Sequence, residues 1–248
     1  VSDVSGSGDR HVFRFFVDVV GERGMVAQLA EGDARHARVL HGARAGTPIE
    51  VVTDGGTIWR ARFDGASGRV ELLESTGVVR EPGIELLALV TVGGRTDELV
   101  DGAVQAGATW VVPVARSHRE HAKVAARADR LGRIALAAAK QAKRAALPVV
   151  AAPLLVDELG GSGEPGVVVD PAAPDPLDAV LDATWTDPDR PIRLLVGGAD
   201  GFPPQLVEEL VGAGWRRARL GPTILRAELA AAVAVAIAMM HAPVPADV

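Results

Sequence analysis

Two glycine-bearing stretches near the carboxyl end hold the residue types that could bind and transform a small ligand: LLVGGADGF, residues 194–202, and LGPTILRAEL, residues 220–229. Each ends an apolar run that reads as a strand. Glycine at a strand end lets the backbone approach a ligand closely, and the N–H groups of a following helix start attract an anion. The first loop does not fit the dinucleotide fingerprint, because its spacing is G-G-x-x-G and no acidic residue follows at the required distance. Neither is it a phosphate-binding P-loop, since no Gly-Lys-Ser/Thr is present. A glycine loop alone is a turn by default; this one gains meaning from the second loop on the next strand.

A further group of residues is basic. Between Arg119 and Arg144 stand eight Lys or Arg and two acids, a local +6 in a chain of net charge −6, so the rest carries −12. At 100° per residue Arg119, Lys123, Arg127, Arg130, Arg133, Lys140 and Arg144 fall within an arc of about 140°, with Val124, Leu131, Ala135, Ala139 and Ala142 roughly opposite. One amphipathic helix, or two in succession, would carry this stripe, either as a solvated face or as a phosphate-tracking surface. A smaller basic group, Arg35, His36, Arg38, His41 and Arg44, lies in GDARHARVLHGARAG. Metal chemistry is not indicated: cysteine is absent, and the six histidines show no pair four apart on one helix. His118 and His121 flank the basic run, as solvated residues or as a base.

These residues need a frame. Residues 11–79 read as short alternating strands, HVFRFFVDVV, PIEVVTDGGTIWRARF and RVELLES, with Asp54-Gly55-Gly56 a hairpin turn and GDARHARVLHGARAG a helix between them. A small β-barrel over residues 1–80 follows from that spacing. After Glu81-Pro82-Gly83 strands alternate with helices: IELLALVTV, DELVDGAVQAGA, TWVVPVA, the basic helix to Leu147, PVVAAPLLV, the joint GGSGEPG, GVVVDP, PLDAVLDATW, PIRLLVGG, PPQLVEELVGAG, WRRARL and a helical tail. That order implies a parallel sheet covered on both faces over residues 84–248. Ligands in such sheets sit beyond the strand carboxyl ends, which puts Asp170-Pro171, Gly197 to Phe202 and Leu220 to Arg226 along one rim.

At 248 residues and 48% hydrophobic composition the chain buries a real core, and two unequal domains are expected. The lack of cysteine suits a reducing compartment. No basic-then-apolar leader is visible, and the most apolar stretch, Leu229 to Met240, is short of the roughly 20 residues that span a bilayer. A cytoplasmic protein with no membrane and no metal partner is the expectation.

Strand, glycine loop, helix, strand, L-G-P-x-I-L-R-x-E and apolar helix together resemble the SPOUT class of S-adenosylmethionine-dependent methyltransferases, in detail the family that methylates N3 of a uridine in 16S ribosomal RNA. The likeness extends over nearly the whole chain. HVFRFFV and HARVLHGARAG are similar to that family's amino-terminal RNA-binding barrel, which is PUA-like, and IALAAAKQAKRAALPVV to its A-x-E-Q-x-x-R-x-x-x-P helix. LLVGGADGF is similar to its L-I-G-P-E-G-G loop, and LGPTILRAELA to its L-G-P-R-I-L-R-T-E-T-A segment.

The resemblance implies an α/β fold whose carboxyl-terminal domain is a trefoil-knotted parallel sheet, with S-adenosylmethionine folded into the knot. Pro171, Val196, Gly197, Gly201, Leu220, Gly221, Ile224, Leu225 and Leu229 would line the donor pocket, and backbone amides of Gly197, Leu220 and Leu225 would read the adenine edge. Arg226 would place a cation at the acceptor, with Arg14 from the barrel as a partner across a homodimer. Arg38, Lys123, Arg127, Arg130 and Arg144 would hold ribosomal RNA of the small subunit. Departures fall on polar positions: Gly197-Gly198-Ala199-Asp200-Gly201 lacks the loop glutamate, Leu225-Arg226-Ala227-Glu228-Leu229 lacks both hydroxyls, and Lys140 and His41 replace a glutamate and an arginine. Gly102-Ala103-Val104-Gln105-Ala106-Gly107 departs from K-x-x-E-L-G. This pattern leaves open a relative that methylates a small molecule or peptide, and a non-catalytic RNA-binding relative.

Overall fold

The computed structural model describes residues 12–40, 42–89, 95–161, 164–198 and 200–243. His11, His41, the end of IELLALVTV, the middle of GGSGEPG and Ala199 of the glycine loop lie outside the described residues. Two compact units divide the chain: one runs to Arg80 and takes in Lys143–Ala146, and the other comprises Glu81–Ala142 and the chain from Leu147 onward.

In the first unit the elements are β1 (Arg14–Phe16), β2 (Val26–Gln28), α1 (Glu31–Leu40), β3 (Pro48–Thr53), β4 (Thr57–Phe63) and β5 (Arg69–Val78). They form a five-stranded sheet in the order β1-β3-β4-β5-β2, with β1 parallel to β3 and the other pairs antiparallel. Period-2 alternation decides the two faces. Ile49, Val51, Ala61, Phe63, Val70 and Leu72 turn inward with Phe15, Leu29 and the α1 residues Ala34 and Ala37. On β4 and β5 the opposite face pairs Arg60 with Glu74 at 3.3 Å and Arg62 with Glu71 at 3.5 Å, cross-strand partners in register. Asp54-Gly55-Gly56 makes the expected turn, with Gly55 at φ 76°. Lys143–Ala146 joins this unit through Ala145, which packs with Val52, Ile58 and Phe16.

The second unit holds β6 (Ile84–Leu89), α2 (Thr96–Ala106), β7 (Trp110–Ala115), α3 (His118–Ala125), α4 (Ala128–Gln141), β8 (Val149–Val150), β9 (Leu154–Leu155), β10 (Val167–Val169), α5 (Leu177–Thr184), β11 (Ile192–Val196), α6 (Pro204–Gly212), β12 (Arg216–Ala218) and α7 (Ala227–Met240). All strand pairs are parallel, in the order β12-β10-β11-β6-β7-β8, and β9 also pairs with β7. The central strands are apolar on both faces: Leu86, Leu87, Leu194, Leu195 and Val168 have no exposed surface. That is the signature of a parallel sheet covered by helices on each side, and each such side chain contributes about 1.5–3 kcal/mol by leaving water.

On one side α7 packs against α2 and also meets α5, β6 and β11. The other side holds Leu87, Leu89, Val112, Leu159, Leu210 and Trp215. Arg193, 5% exposed near the start of β11, is held by Glu85 at 2.7 Å and by the Glu164 carbonyl at 2.7 Å, with its guanidinium 5.5 Å from the Trp215 ring centre.

Of the two arrangements the basic stripe allows, the structure has two helices in succession, the second ending at Gln141 rather than at Leu147. The chain leaves α3 at Ala125 and re-enters helix at Ala128, so the stripe is divided between α3 and α4. Among the described residues, no helix is long and apolar enough to cross a membrane.

Candidate functional site

The strand order sets the site. From β10 the chain passes to β11 on one side and returns as β12 on the other, so the carboxyl ends Val169, Val196 and Ala218 lie on adjacent strands. A reversal of strand order opens a crevice at these ends. The loops that follow close it: residues 197–202 after β11, and 219–226 between β12 and α7.

A cavity of about 100 Å³, open to solvent, lies there. Its lining includes Pro171, Val196, Gly197, Gly201, Leu220, Gly221, Ile224 and Leu225, eight of the nine residues expected to form one pocket. Val169, Gly198, Thr223, Ala227 and Ala230 complete it. Leu229 is the exception: it stands 52% exposed and off the cavity. Helix phase explains the difference, because Ala227 and Ala230, three apart on α7, share the face turned to the cavity while Leu229 is rotated away. The walls are aliphatic or bare backbone. Ile224 is 85% exposed, a large apolar side chain left uncovered at the site.

The glycines are dictated by space and by conformation. A Cβ on Gly197 would lie 3.2 Å from the Gly201 Cα and 3.2 Å from the Phe202 ring, tighter than ordinary contact. Gly201 sits at φ 66°, where L-residues are strained, and its N–H donates to the Gly198 carbonyl at 3.0 Å. Across the cavity, the backbone N–H groups of Leu220, Gly221, Ile224 and Leu225 donate to no group among the described residues. A row of unpartnered donors beside apolar walls suits a ligand with flat apolar faces and a polar edge.

Charged residues frame the rim. Asp170, just after β10, accepts from Arg217 at 2.6 and 2.9 Å. Arg116, just after β7, reaches the Gly201 carbonyl at 3.4 Å and Asp200 at 3.5 Å. Glu228 in the first turn of α7 pairs with Arg95 at 3.1 Å, so Glu228 is not the partner of Arg226. Arg226 precedes α7 as its N-cap residue; its carbonyl accepts from the Ala230 N–H at 2.7 Å, while its side chain is exposed and has no ionic or hydrogen-bond partner among the described residues. It is flanked by Leu225 and Ala227, both of which line the cavity.

The other expected site residues are placed as follows. Arg14 lies in the first unit, its side chain 12% exposed; it pairs with Glu50 at 2.9 Å and donates to the carbonyls of Lys143 and Arg144. That engagement seats the Lys143–Ala146 segment, whose Lys143 has φ 51°. Arg38 is half-buried and donates to the carbonyls of Gly65 and Ala66 at 3.4 and 3.3 Å, bracing a turn. Arg144 is 5% exposed, so the expectation that it faces RNA is corrected: a buried guanidinium offers no charge to a phosphate. Arg127 and Arg130 both close on Asp97, at 2.5 Å each. Only Lys123 of the five expected RNA contacts is both exposed and without a partner among the described residues.

Sequence reasoning missed Val169, Ala227 and Ala230 in the cavity and Arg116 beside it. The phase of α7 could have found the two alanines; the position of Arg116 after an apolar parallel strand was the available signal for the last. Among the described residues no three His, Cys, Asp or Glu are grouped to hold a metal ion.

Residues 80–239 match the family described as RNA methyltransferase domain. Over 235 residues the chain is 27% identical to a Mycobacterium bovis protein named ribosomal RNA small subunit methyltransferase E, covering 89% of this chain and 88% of that one. A Synechocystis protein of the same name is 27% identical over 208 residues, 80% of this chain and 67% of that one. Among solved structures, a ribosomal RNA small subunit methyltransferase E from Neisseria gonorrhoeae bound to S-adenosyl methionine is similar at TM-score 0.77 and 24% identity, covering 93% of this chain and 98% of that chain. A methyltransferase from Legionella pneumophila in complex with the same cofactor gives TM-score 0.76 at 19% identity, covering 92% and 97%. At these identities the structural likenesses speak to the fold.

Proposed function

Because the chain belongs to the RNA methyltransferase domain family, we propose that it is an S-adenosylmethionine-dependent methyltransferase acting on small-subunit ribosomal RNA, with N3 of a uridine as the acceptor. The observation that carries this reading is the cavity between the glycine loop after β11 and the segment 219–226, apolar on its walls and lined by Leu220, Gly221, Ile224 and Leu225, whose backbone N–H groups have no partner among the described residues. Adenine has two apolar faces and a hydrogen-bonding rim, so the residues present fit the adenosyl group. Val196, Ile224, Leu225 and Ala230 would flank its faces, and the amides of Leu220 and Leu225 would meet its edge.

When bound, the donor supplies an electrophilic sulfonium methyl group. The chain's own contribution is placement and charge. Gly197 and Gly201 keep side chains out of the volume the ligand needs. Arg226 offers an unspent guanidinium beside the cavity, where it would hold the uracil oxygens and favour departure of the N3 proton by stabilising the resulting anion. This reading gives Arg14 no acceptor role, since its hydrogen bonds are committed to Glu50 and two carbonyls.

The same reading takes residues 1–80 as a PUA-like barrel that holds RNA and 84–248 as the donor domain, with the segment after β12 threaded as a trefoil knot. It takes the protein as a cytoplasmic homodimer paired through α7; Leu229, Ala236 and Met240, exposed at spacings of seven and four on that helix, support the pairing.

Small ribosomal subunits lacking the modification, incubated with the protein and methyl-labelled donor, test the function. Label recovered as 3-methyluridine supports it. A protein that binds the donor and labels no RNA, while labelling a small molecule or peptide, would turn the assignment to a different acceptor.

A further inference from the structure

The basic stripe separates in the structure into engaged and free cations. Arg127 and Arg130 neutralise Asp97, and Arg144 is buried. Arg119, Lys123 and Arg133 are exposed, and their side chains have no ionic or hydrogen-bond partner among the described residues. Arg119 and Lys123 thus place two free side-chain cations on α3 in a chain of net charge −6.

Local structure fixes where α3 begins. Because the sheet is parallel, β7 ends on the same rim as β10 and β11. Arg116, the first residue past β7, donates to the carbonyl of Gly201, which lines the cavity. The helix starts at once: Ser117 accepts from the Glu120 N–H at 3.3 Å, and the Glu120 carboxylate accepts from the Arg116 N–H at 2.9 Å. This resembles the S-x-x-E cap, with the carboxylate reaching the N–H one residue before the N-cap Ser117. It turns the first acid of α3 back onto the backbone. Arg119 and Lys123, four residues apart, then share one face and stand about 6 Å apart along the helix axis.

We infer that α3 is the phosphate-guiding track of the site: Arg119 and Lys123 hold neighbouring phosphates of a single-stranded RNA segment and lead its target base past Arg116 to the cavity. The inference rests on the methyltransferase reading and names the surface by which the acceptor arrives. Charge complementarity selects the partner, since a cationic face in an acidic molecule draws a polyanion to that face and away from the rest.

The test compares wild type with Arg119→Ala/Lys123→Ala in filter binding of a labelled fragment of unmodified small-subunit ribosomal RNA over a range of salt. Loss of two phosphate contacts lowers the slope of log K against log salt by about 1.4 and weakens binding about tenfold near physiological salt. Donor affinity by calorimetry stays at the wild-type value, and the methylation defect appears in KM for the RNA. Arg119→Gln/Lys123→Gln repeats the measurement with polarity kept, should alanine lower the unfolding temperature. Arg216→Ala removes an exposed cation at the start of β12, the opposite end of the sheet, and leaves the slope unchanged. A double variant with the wild-type slope and affinity, in a protein that does methylate the RNA, overturns the track and spares the methyltransferase reading. A wild-type protein that neither binds nor methylates the fragment overturns both.

Discussion

Gly197→Ala tests the pocket with the smallest possible change. The added Cβ would sit 3.2 Å from the Gly201 Cα, 3.2 Å from the Phe202 ring and 3.3 Å from the Gly201 carbonyl carbon, so something must give by a few tenths of an ångström. The ring of Phe202 can turn. The Gly201 backbone cannot yield as easily, because it is held at φ 66° by its own hydrogen bond to the Gly198 carbonyl. Both neighbours of the new methyl belong to the glycine loop, and Gly201 is part of the cavity wall. Overpacking of this kind costs about 1–3 kcal/mol, which as lost donor affinity is roughly a 5- to 150-fold rise in Kd. Titration calorimetry with S-adenosylmethionine reads the affinity, and thermal unfolding reads the fold, which should move little because the strain is confined to a loop. Adding Phe202→Leu should recover part of the loss if the ring is the obstacle. A Gly197→Ala protein that binds the donor like wild type refutes the claim that this backbone must come so close.

Arg226→Ala should lower kcat by about 10²-fold or more, the usual effect of deleting one charge-stabilising donor, and leave donor affinity within about twofold of wild type; single-turnover kinetics and calorimetry separate the two effects. Glu85→Gln removes the charge facing buried Arg193 and should destabilise the fold by about 3 kcal/mol in chemical denaturation, near the low end for a broken buried pair; the Glu164 carbonyl and the Trp215 ring still hold the guanidinium. Asp64 carries a carboxyl held below the usual aspartate range, first by the Ser67 hydroxyl and then by backbone N–H groups. A depressed carboxylate stabilises the fold above its unfolded-state pKa, and that contribution disappears as pH falls through the folded-state value. NMR titration of Ser67→Ala should therefore show the Asp64 midpoint moving up; an unmoved midpoint contradicts the assigned cause.

Local pattern carried most of the fold. Alternation in PIEVVTDGGTIWRARF specified β3 and β4, and the apolar runs at Ile84, Trp110 and Ile192 specified buried parallel strands, because residue period and burial are properties of a few consecutive positions. The crevice was legible for the same reason: glycine-rich strand ends in an alternating β/α order have one place to go.

What failed depended on partners distant in sequence. Nothing around Arg127 and Arg130 reveals that Asp97, some thirty residues earlier, takes both. Arg144 reads as one more cation of the stripe, yet it is buried and belongs with the first unit, as do the carbonyls that occupy Arg14. The stripe allowed one helix or two in succession, and the break that decides for two falls at Ala126-Arg127 without glycine or proline to mark it. Leu229 was misplaced because motif likeness gives a position in the chain, while cavity lining depends on which side of α7 that position faces.

A crystal structure of the protein grown with S-adenosylhomocysteine would show whether these two loops cradle the adenosyl group. The adenosyl group is expected between Gly197–Gly201 and Leu220–Leu225, its edge against the amides of Leu220 and Leu225, with Arg226 nearest the sulfur. Ligand bound elsewhere, or none bound with those amides turned away from the cavity, would contradict that placement.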